Sequence, residues 1–162
     1  MSAILPHLKL LYISVPKCGC TSLKSYIYLI ENGEQFKQYK NNGRVVNIHN
    51  LYPSNYFKKN LTIYQKDFNL DEFTKICLIR DPIQRLISAY TNRVKHHKEL
   101  SEKILISHHL NPNLANPSFG NFLDNYFIYR KVNSIKHHTD PLYKFIGENP
   151  SFYDKIFNLD NI

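Results

Sequence analysis

The stretch that decides the fold is LKLLYISVPKCGCTSLKSYIYLI, residues 8–30. Its first part, residues 8–15, is an almost continuous apolar run closed by Pro16, which predicts a buried strand. The sequence PKCGC follows as a tight loop. From Thr21 onward, apolar residues recur at helical spacing until an Asn-Gly pair, which predicts a helix that ends there. The stretch is therefore predicted to be a strand–loop–helix unit.

A second unit of the same kind is ICLIRDPIQRLISAY, residues 76–90. The apolar run over residues 75–79 predicts a strand. Asp81 as an N-cap and Pro82 at the first helical position then predict a helix start. Strands that alternate with helices are typical of an α/β fold, and we expect a three-layer arrangement with a mainly parallel sheet.

The signals in the rest of the chain are weaker. They predict a loop over residues 33–43, a strand over residues 44–48, a short helix over residues 55–59 opened by Pro53-Ser54, an amphipathic helix over residues 119–129 and a polar turn over residues 137–141. We expect a single domain over residues 1–162. Its apolar, uncapped end FNLDNI leaves open whether this domain is complete or truncated at its C-terminus.

Composition narrows the class of protein. A chain of 162 residues with 43% hydrophobic residues can bury a core, and its net charge of +8 favours an anionic partner: nucleic acid, a phosphorylated cofactor, an acidic glycan or a membrane surface. Three cysteines make no disulfide framework, which indicates reduced thiols. The sequence shows neither a secretory signal nor the roughly 20 apolar residues of a membrane span. We therefore expect a cytoplasmic protein.

The first unit has the chemistry of a phosphate cradle. A helix N-terminus presents backbone N–H groups and the positive end of the helix dipole, so it attracts anions. Lys17 adds a mobile cation, and Thr21 and Ser22 add hydroxyl donors. The loop is not a Walker A motif, because Lys17 lies four residues before Thr21 instead of directly before it. A strand–helix turn with an incidental lysine is the alternative.

In the second unit, Arg80 follows a predicted strand, where ligands bind in open α/β sheets. Ser88 lies about two helical turns past Pro82, roughly 10 Å along the axis, so the Arg80 and Ser88 side chains could reach one phosphate. Arg85 could assist or form an ion pair. A helix cap with a nearby arginine is the alternative.

Together, PKCGCTS and RDPIQRLISAY resemble the two phosphate-binding segments of sulfotransferases that use 3′-phosphoadenosine 5′-phosphosulfate (PAPS). The type is that of the membrane-anchored carbohydrate sulfotransferases and their soluble bacterial relatives. The resemblance covers about residues 9–145, with strong motifs over residues 15–24 and 79–90. It implies a P-loop-like nucleotide site. The residues that it implies for binding PAPS, or its product PAP, are Lys17, Cys18, Gly19, Cys20, Thr21, Ser22, Arg80 and Ser88.

The resemblance also implies transfer of a sulfuryl group from PAPS to a hydroxyl of a carbohydrate. Lys17 would stabilise the charge that grows on the leaving oxygen, and no metal is expected. His49, at the end of the predicted strand over residues 44–48, matches the histidine base of some glycan sulfotransferases. His138 is the second candidate for the base and a candidate substrate contact, because HHTDPL faintly resembles the family's substrate segment. A structural histidine is the alternative at both positions.

Two other functions remain open from the sequence. The first is a P-loop nucleotide kinase or NTPase, although no acidic residue follows the apolar strand, which ends in Arg80. The second is a non-catalytic basic module for nucleic acid or acidic glycan, although no nucleic-acid-binding signature is present. We expect a glycan or another hydroxylated small molecule as the acceptor, and no nucleic acid. The sequence identifies neither the acceptor nor the oligomeric state.

Overall fold

A computed structural model describes residues 2–53 and 55–161. The strands in chain order are β1 (Ala3–Leu5), β2 (Leu10–Ile13), β3 (Tyr39–Asn41), β4 (Arg44–Val46), β5 (Thr74–Ile79) and β6 (Lys155–Asn158). The α-helices in chain order are α1 (Cys20–Asn32), α2 (Ile48–Leu51), α3 (Phe57–Tyr64), α4 (Pro82–Ala89), α5 (Glu102–Ser107), α6 (Phe119–Asp124), α7 (Tyr126–Tyr129), α8 (Asn133–Thr139) and α9 (Tyr143–Ile146).

The chain forms two compact units. The first consists of the chain up to Arg80 together with the chain from Pro141 onward, and the second is Asp81–Asp140. The first unit contains the sheet and the second is helical. The prediction of a single domain over residues 1–162 stays a prediction.

The first unit is built on a four-stranded sheet with the order β1-β2-β5-β6. β1 is antiparallel to β2, whereas the β2–β5 and β5–β6 pairs are parallel, with Ile13 opposite Cys77 and Ile79 opposite Asn158. The predicted α/β class and mainly parallel sheet are confirmed. β1 and β6 were not predicted.

Apolar side chains cover both faces of this sheet. Leu11 and Cys77 pack on one face with Tyr64 of α3. Tyr12 packs on the opposite face with Ile27 of α1. Because neighbouring residues of a strand point to opposite faces, the near-continuous apolar run of β2 serves both clusters. Helices therefore lie on the two faces, as a three-layer arrangement requires.

The loop predicted over residues 33–43 is wrong in its second half, where the chain forms β3. This strand pairs antiparallel with β4 as a separate two-stranded sheet. Asn42 (φ 48°) and Gly43 (φ 74°) connect them, and two positive φ angles are typical of the type I′ hairpin turn. The Asn-Gly pair therefore joins two strands instead of marking a loop. Ser54, predicted to open the following helix, lies outside the described residues.

The second unit begins as predicted. Asp81 caps α4, because its side chain accepts hydrogen bonds from the backbone N–H groups of Ile83 and Gln84. The helix continues as a π-helix over Tyr90–His96. The core of the second unit is an aromatic and aliphatic cluster that includes Tyr90, Phe122, Tyr129 and Ile135.

Two further predictions in this unit need correction. The single helix predicted over residues 119–129 is interrupted at Asn125, so α6 and α7 are separate. The polar turn predicted over residues 137–141 is wrong, since α8 extends to Thr139. Packing of Ile135 in the core holds this polar segment helical. In the described part of the chain, no helix has the length and apolar character that a bilayer crossing needs.

Candidate active site

The loop between β2 and α1 turns through two left-handed residues, Lys17 (φ 67°) and Gly19 (φ 68°). Gly19 is the N-cap of α1, and a Cβ placed there would lie 3.4 Å from the Leu159 side chain. A left-handed backbone and a close neighbour both favour glycine at this position. The loop therefore brings the chain sharply into the first turn of α1.

The first turn of α1 offers donors to an anion. No side chain caps this helix end, and no acidic residue lies in its first turn. Thr21 and Ser22 are exposed there, and Lys17 is half-buried in the loop before it. The side chains of Cys18 and Cys20 are buried, so these positions could contact a ligand only through their backbone amides. The donor set suits a phosphate or a sulfate.

Arg80 directly follows β5, at the same edge of the sheet where β2 leads into the loop. Its Nε lies 3.4 Å from Oδ1 of Asp160, which follows β6. The side chains are 27% and 32% exposed, so solvent weakens this ion pair. The parallel sheet thus brings Lys17 and Arg80 to one edge, as predicted from the two strand–loop–helix units.

His49 was predicted to lie at the end of a strand over residues 44–48, and this placement is wrong because that strand ends at Val46. β4 belongs to the separate hairpin, and His49 lies on α2. A capping box fixes the start of α2: the Asn47 side chain accepts from the His49 backbone N–H, and the Asn50 side chain accepts from the Asn47 N–H. The imidazole nevertheless reaches the first turn of α1, with Nε2 3.0 Å from Oγ1 of Thr21.

Lys24 also belongs to this group, and it was not predicted. Its side chain is fully buried, and its Nζ lies 3.4 Å from Nδ1 of His49. Burial lowers the pKa of Lys24 to about 8, while Cys20, one turn earlier on α1, opposes this shift. The available signal was spacing, because Lys24 lies three residues before the core residue Ile27 and thus on the buried face of the helix.

The remaining two predicted site residues lie in the second unit. Ser88 is half-buried on α4, and His138 is half-buried on α8. Nδ1 of His138 lies 2.8 Å from the Ser134 carbonyl oxygen. Because a carbonyl oxygen only accepts, Nδ1 carries the proton in this contact and Nε2 is left as the acceptor nitrogen of the neutral ring.

Arg85 has a structural position within the second unit. It is 5% exposed, and its guanidinium donates to the backbone carbonyls of Asp140 (2.6 Å) and His138 (3.4 Å). It therefore ties α4 to the end of α8. Of the two interpretations of Arg85, the contacts favour a structural residue over a phosphate ligand.

The three cysteines are free thiols and all are buried. Burial raises the pKa of the Cys77 thiol to about 12, and the neighbouring Cys18 adds to the shift. Such a thiol is unreactive at neutral pH. Among residues 2–53 and 55–161, His, Cys, Asp and Glu side chains form no group of three that could hold a metal ion. The expectation of metal-free chemistry stays a prediction.

The first unit has an α/β fold with a mostly parallel sheet. At the carboxyl edge of this sheet, a strand–loop–helix connection carries cationic and hydroxyl side chains. The model of the sulfotransferase family matches residues 2–162, which is nearly the whole sequence. The chain belongs to the sulfotransferase family, and the resemblance found in the two motifs is confirmed.

A human relative, carbohydrate sulfotransferase 9, is 31% identical over 90 residues. The alignment covers 54% of this chain and 19% of the human protein. The chain thus spans about a fifth of the length of the curated relative that it matches. No solved structure matches the sequence.

Proposed function

We propose that this protein transfers the sulfuryl group of PAPS to a hydroxyl group of a carbohydrate. Membership of the sulfotransferase family supports sulfuryl transfer as the reaction. The single observation that carries the proposal is the contact of His49 with Thr21. It places an imidazole 3.0 Å from the first turn of the helix that follows the predicted phosphosulfate loop.

PAPS supplies an activated sulfuryl group whose leaving group is the nucleotide 5′-phosphate. In our proposal the backbone amides of the loop at Gly19 and the hydroxyls of Thr21 and Ser22 bind the phosphosulfate. Lys17 stabilises the negative charge that grows on the leaving oxygen, which makes it catalytic. The left-handed turn at Lys17 and Gly19 and the cationic, hydroxyl-rich lining are consistent with this P-loop-like role.

The proposed binding site for the 3′-phosphate uses Arg80 and Ser88. Arg80 is partly exposed at the sheet edge, and its weak pairing with Asp160 leaves it available to a stronger anion. Since PAPS carries both phosphates, Arg80 and Ser88 would provide the selectivity for the nucleotide with a 3′-phosphate. No metal is needed in this scheme, because the lysine, the arginine and the amides supply the positive charge.

His49 is the proposed general base that takes the proton of the acceptor hydroxyl through Nε2. His138 remains the alternative base, with a role in substrate binding. The name of the human relative and the net charge of +8 support a glycan as the acceptor, because an acidic glycan would be attracted to a basic protein.

The test is transfer of radiolabelled sulfate from PAPS to a panel of hydroxylated glycans, with and without a chelator. We expect label in at least one glycan with the wild-type protein, unaffected by the chelator. The Lys17→Ala variant should lose turnover and bind the nucleotide more weakly. Nucleotide binding without transfer to any hydroxyl compound would contradict the proposed activity.

A further inference from the structure

A chain of polar atoms runs from the buried Lys24 through the proposed base to the exposed Thr21. Lys24 Nζ lies 3.4 Å from His49 Nδ1, and His49 Nε2 lies 3.0 Å from Thr21 Oγ1. In the familiar catalytic triads a carboxylate occupies the position on the Nδ1 side of the imidazole. Here a fully buried lysine faces Nδ1. A carboxylate only accepts, whereas a charged lysine only donates, so the position of the ring proton depends on the charge of Lys24.

Two proton arrangements of this chain are relevant when the imidazole is neutral, and they differ in which ring nitrogen carries the proton. A charged lysine can only donate, so Nδ1 must accept and the ring proton must sit on Nε2, which then donates to Thr21. In the second arrangement Lys24 is a neutral amine that accepts the proton of Nδ1–H. Nε2 then carries the lone pair and accepts from a hydroxyl. Only the second arrangement leaves His49 able to act as a base at Nε2.

We propose that Lys24 is the positioning partner of His49, which holds the ring proton on Nδ1 when it is a neutral amine and receives that proton when Nε2 takes one from the acceptor. This inference rests on the proposed function of His49 as the base. It assigns to a buried lysine the position on the Nδ1 side that carboxylates hold in triads.

The proton balance of the step is closed. The acceptor O–H bond breaks and an Nε2–H bond forms, while the acceptor oxygen bonds to sulfur and the bond from sulfur to the nucleotide phosphate oxygen breaks. The Nδ1–H bond then breaks and a third N–H bond forms on Lys24. The protein ends in the first arrangement, with charged Lys24 donating to Nδ1 and Nε2–H donating to Thr21, and loss of the lysine proton to solvent restores the base.

The environment of Lys24 makes both the charged and the neutral form of its amine accessible. Burial lowers its pKa to about 8, whereas an exposed lysine would stay charged far above that pH. The titratable groups that interact with Lys24 include His49 of α2 and Cys20 of α1, and Cys20 in turn interacts with Tyr12 of β2. β1, which also packs against α1, carries no titratable side chain.

The first test is the pH profile of the transfer reaction. In the wild type, kcat should rise with pH through a group that titrates near 8, the pKa of Lys24. Lys24→Met removes the proton acceptor, so kcat should fall about tenfold or more and the rise should move toward the ordinary histidine value of about 6.5, with KM for PAPS unchanged. Lys24→Arg should be at least as slow, since arginine stays charged and cannot accept. A wild-type rise near 6.5 that Lys24→Met leaves in place would overturn the inference.

The second test needs no activity and uses the folded wild type. Nitrogen NMR of the labelled histidines, with His49 assigned through its loss in His49→Gln, reports which ring nitrogen carries the proton. Between about pH 7 and about pH 9.5 the proton of His49 should move from Nε2 to Nδ1. If the switch is seen but no glycan is sulfated, the lysine–histidine pair stands and the proposed function fails. If His49 keeps one tautomer over this range, the inference about Lys24 fails, whatever the activity.

Discussion

Lys24 and Arg85 are both buried cations, one in each unit of the molecule, at 0% and 5% exposure. Arg85 donates to main-chain carbonyls, which only accept and which hold its guanidinium in place. Lys24 faces an imidazole, a group that can both give and take a proton. Two cations with similar burial thus have different roles, and the difference comes from the group that each one contacts. Arg85 contacts carbonyl oxygens and ties helices together, whereas Lys24 contacts an imidazole with which it can exchange a proton.

The largest effect that this comparison predicts is the loss of turnover when His49, the partner of Lys24, is replaced. Removing the proposed base in His49→Ala should lower kcat by about 10²–10⁴-fold, because proton transfer from the acceptor hydroxyl loses its catalyst. PAP affinity, measured by calorimetry, should stay close to that of the wild type. His138→Ala is the matched control. If that variant loses turnover while His49→Ala retains it, the base is His138.

Arg85→Met should mainly affect stability. The substitution leaves the Asp140 and His138 carbonyls without their buried donor, so the free energy of unfolding should fall by about 3 kcal/mol. Urea unfolding followed by circular dichroism measures this loss. Arg44→Met, in the exposed hairpin strand β4, is the control and should stay within about 0.5 kcal/mol of the wild type. An equally small change for Arg85→Met would remove the structural role assigned to this arginine.

Arg80 is a third kind of cation, partly exposed and paired with Asp160. Arg80→Ala should weaken PAP binding by about 1.5–3 kcal/mol, because a charge-assisted contact with the 3′-phosphate is lost. Adenosine 5′-phosphosulfate, which lacks that phosphate, should be affected far less, and Ser88→Ala should show the same selectivity more mildly. Equal losses for the two nucleotides, measured by calorimetry, would contradict a 3′-phosphate site at Arg80.

The smallest effect concerns the stability cost of Lys24. Its pKa is lowered on folding, so the unfolded chain binds this proton more tightly and wild-type stability should rise as the pH passes about 8 toward the ordinary lysine value. Lys24→Met carries no such cost. The variant should be at least as stable as the wild type at neutral pH, and its advantage should shrink with rising pH. An advantage that stays constant with pH would show that Lys24 titrates normally.

The parts of the fold that local signals specify could be predicted. The caps at Gly33 and Asp81 and the apolar runs of β2 and β5 bound both strand–loop–helix units within a few residues. β1 and β6 carry no comparable signal. β6 is largely exposed and exists through its pairing with β5, a contact between segments far apart in the chain.

The candidate site was predictable to the same extent. Lys17, Thr21 and Ser22 follow from one motif, and the structure brings Arg80 to the same sheet edge. The contact of Lys24 with His49 joins residues 25 positions apart through the packing of α1 against α2. Neither residue belongs to a spacing pattern that includes the other, so only the tertiary structure reveals the pair.

We propose that this member of the sulfotransferase family binds the sulfate donor nucleotide. Calorimetric titration of the wild-type protein with PAP, in buffer containing a chelator, tests it most directly. We expect one site per chain with micromolar or tighter affinity, and weaker binding to Arg80→Ala. The absence of PAP binding, together with saturable binding of Mg-ATP, would contradict the account and identify the loop at Lys17 as the site of a nucleotide kinase or NTPase.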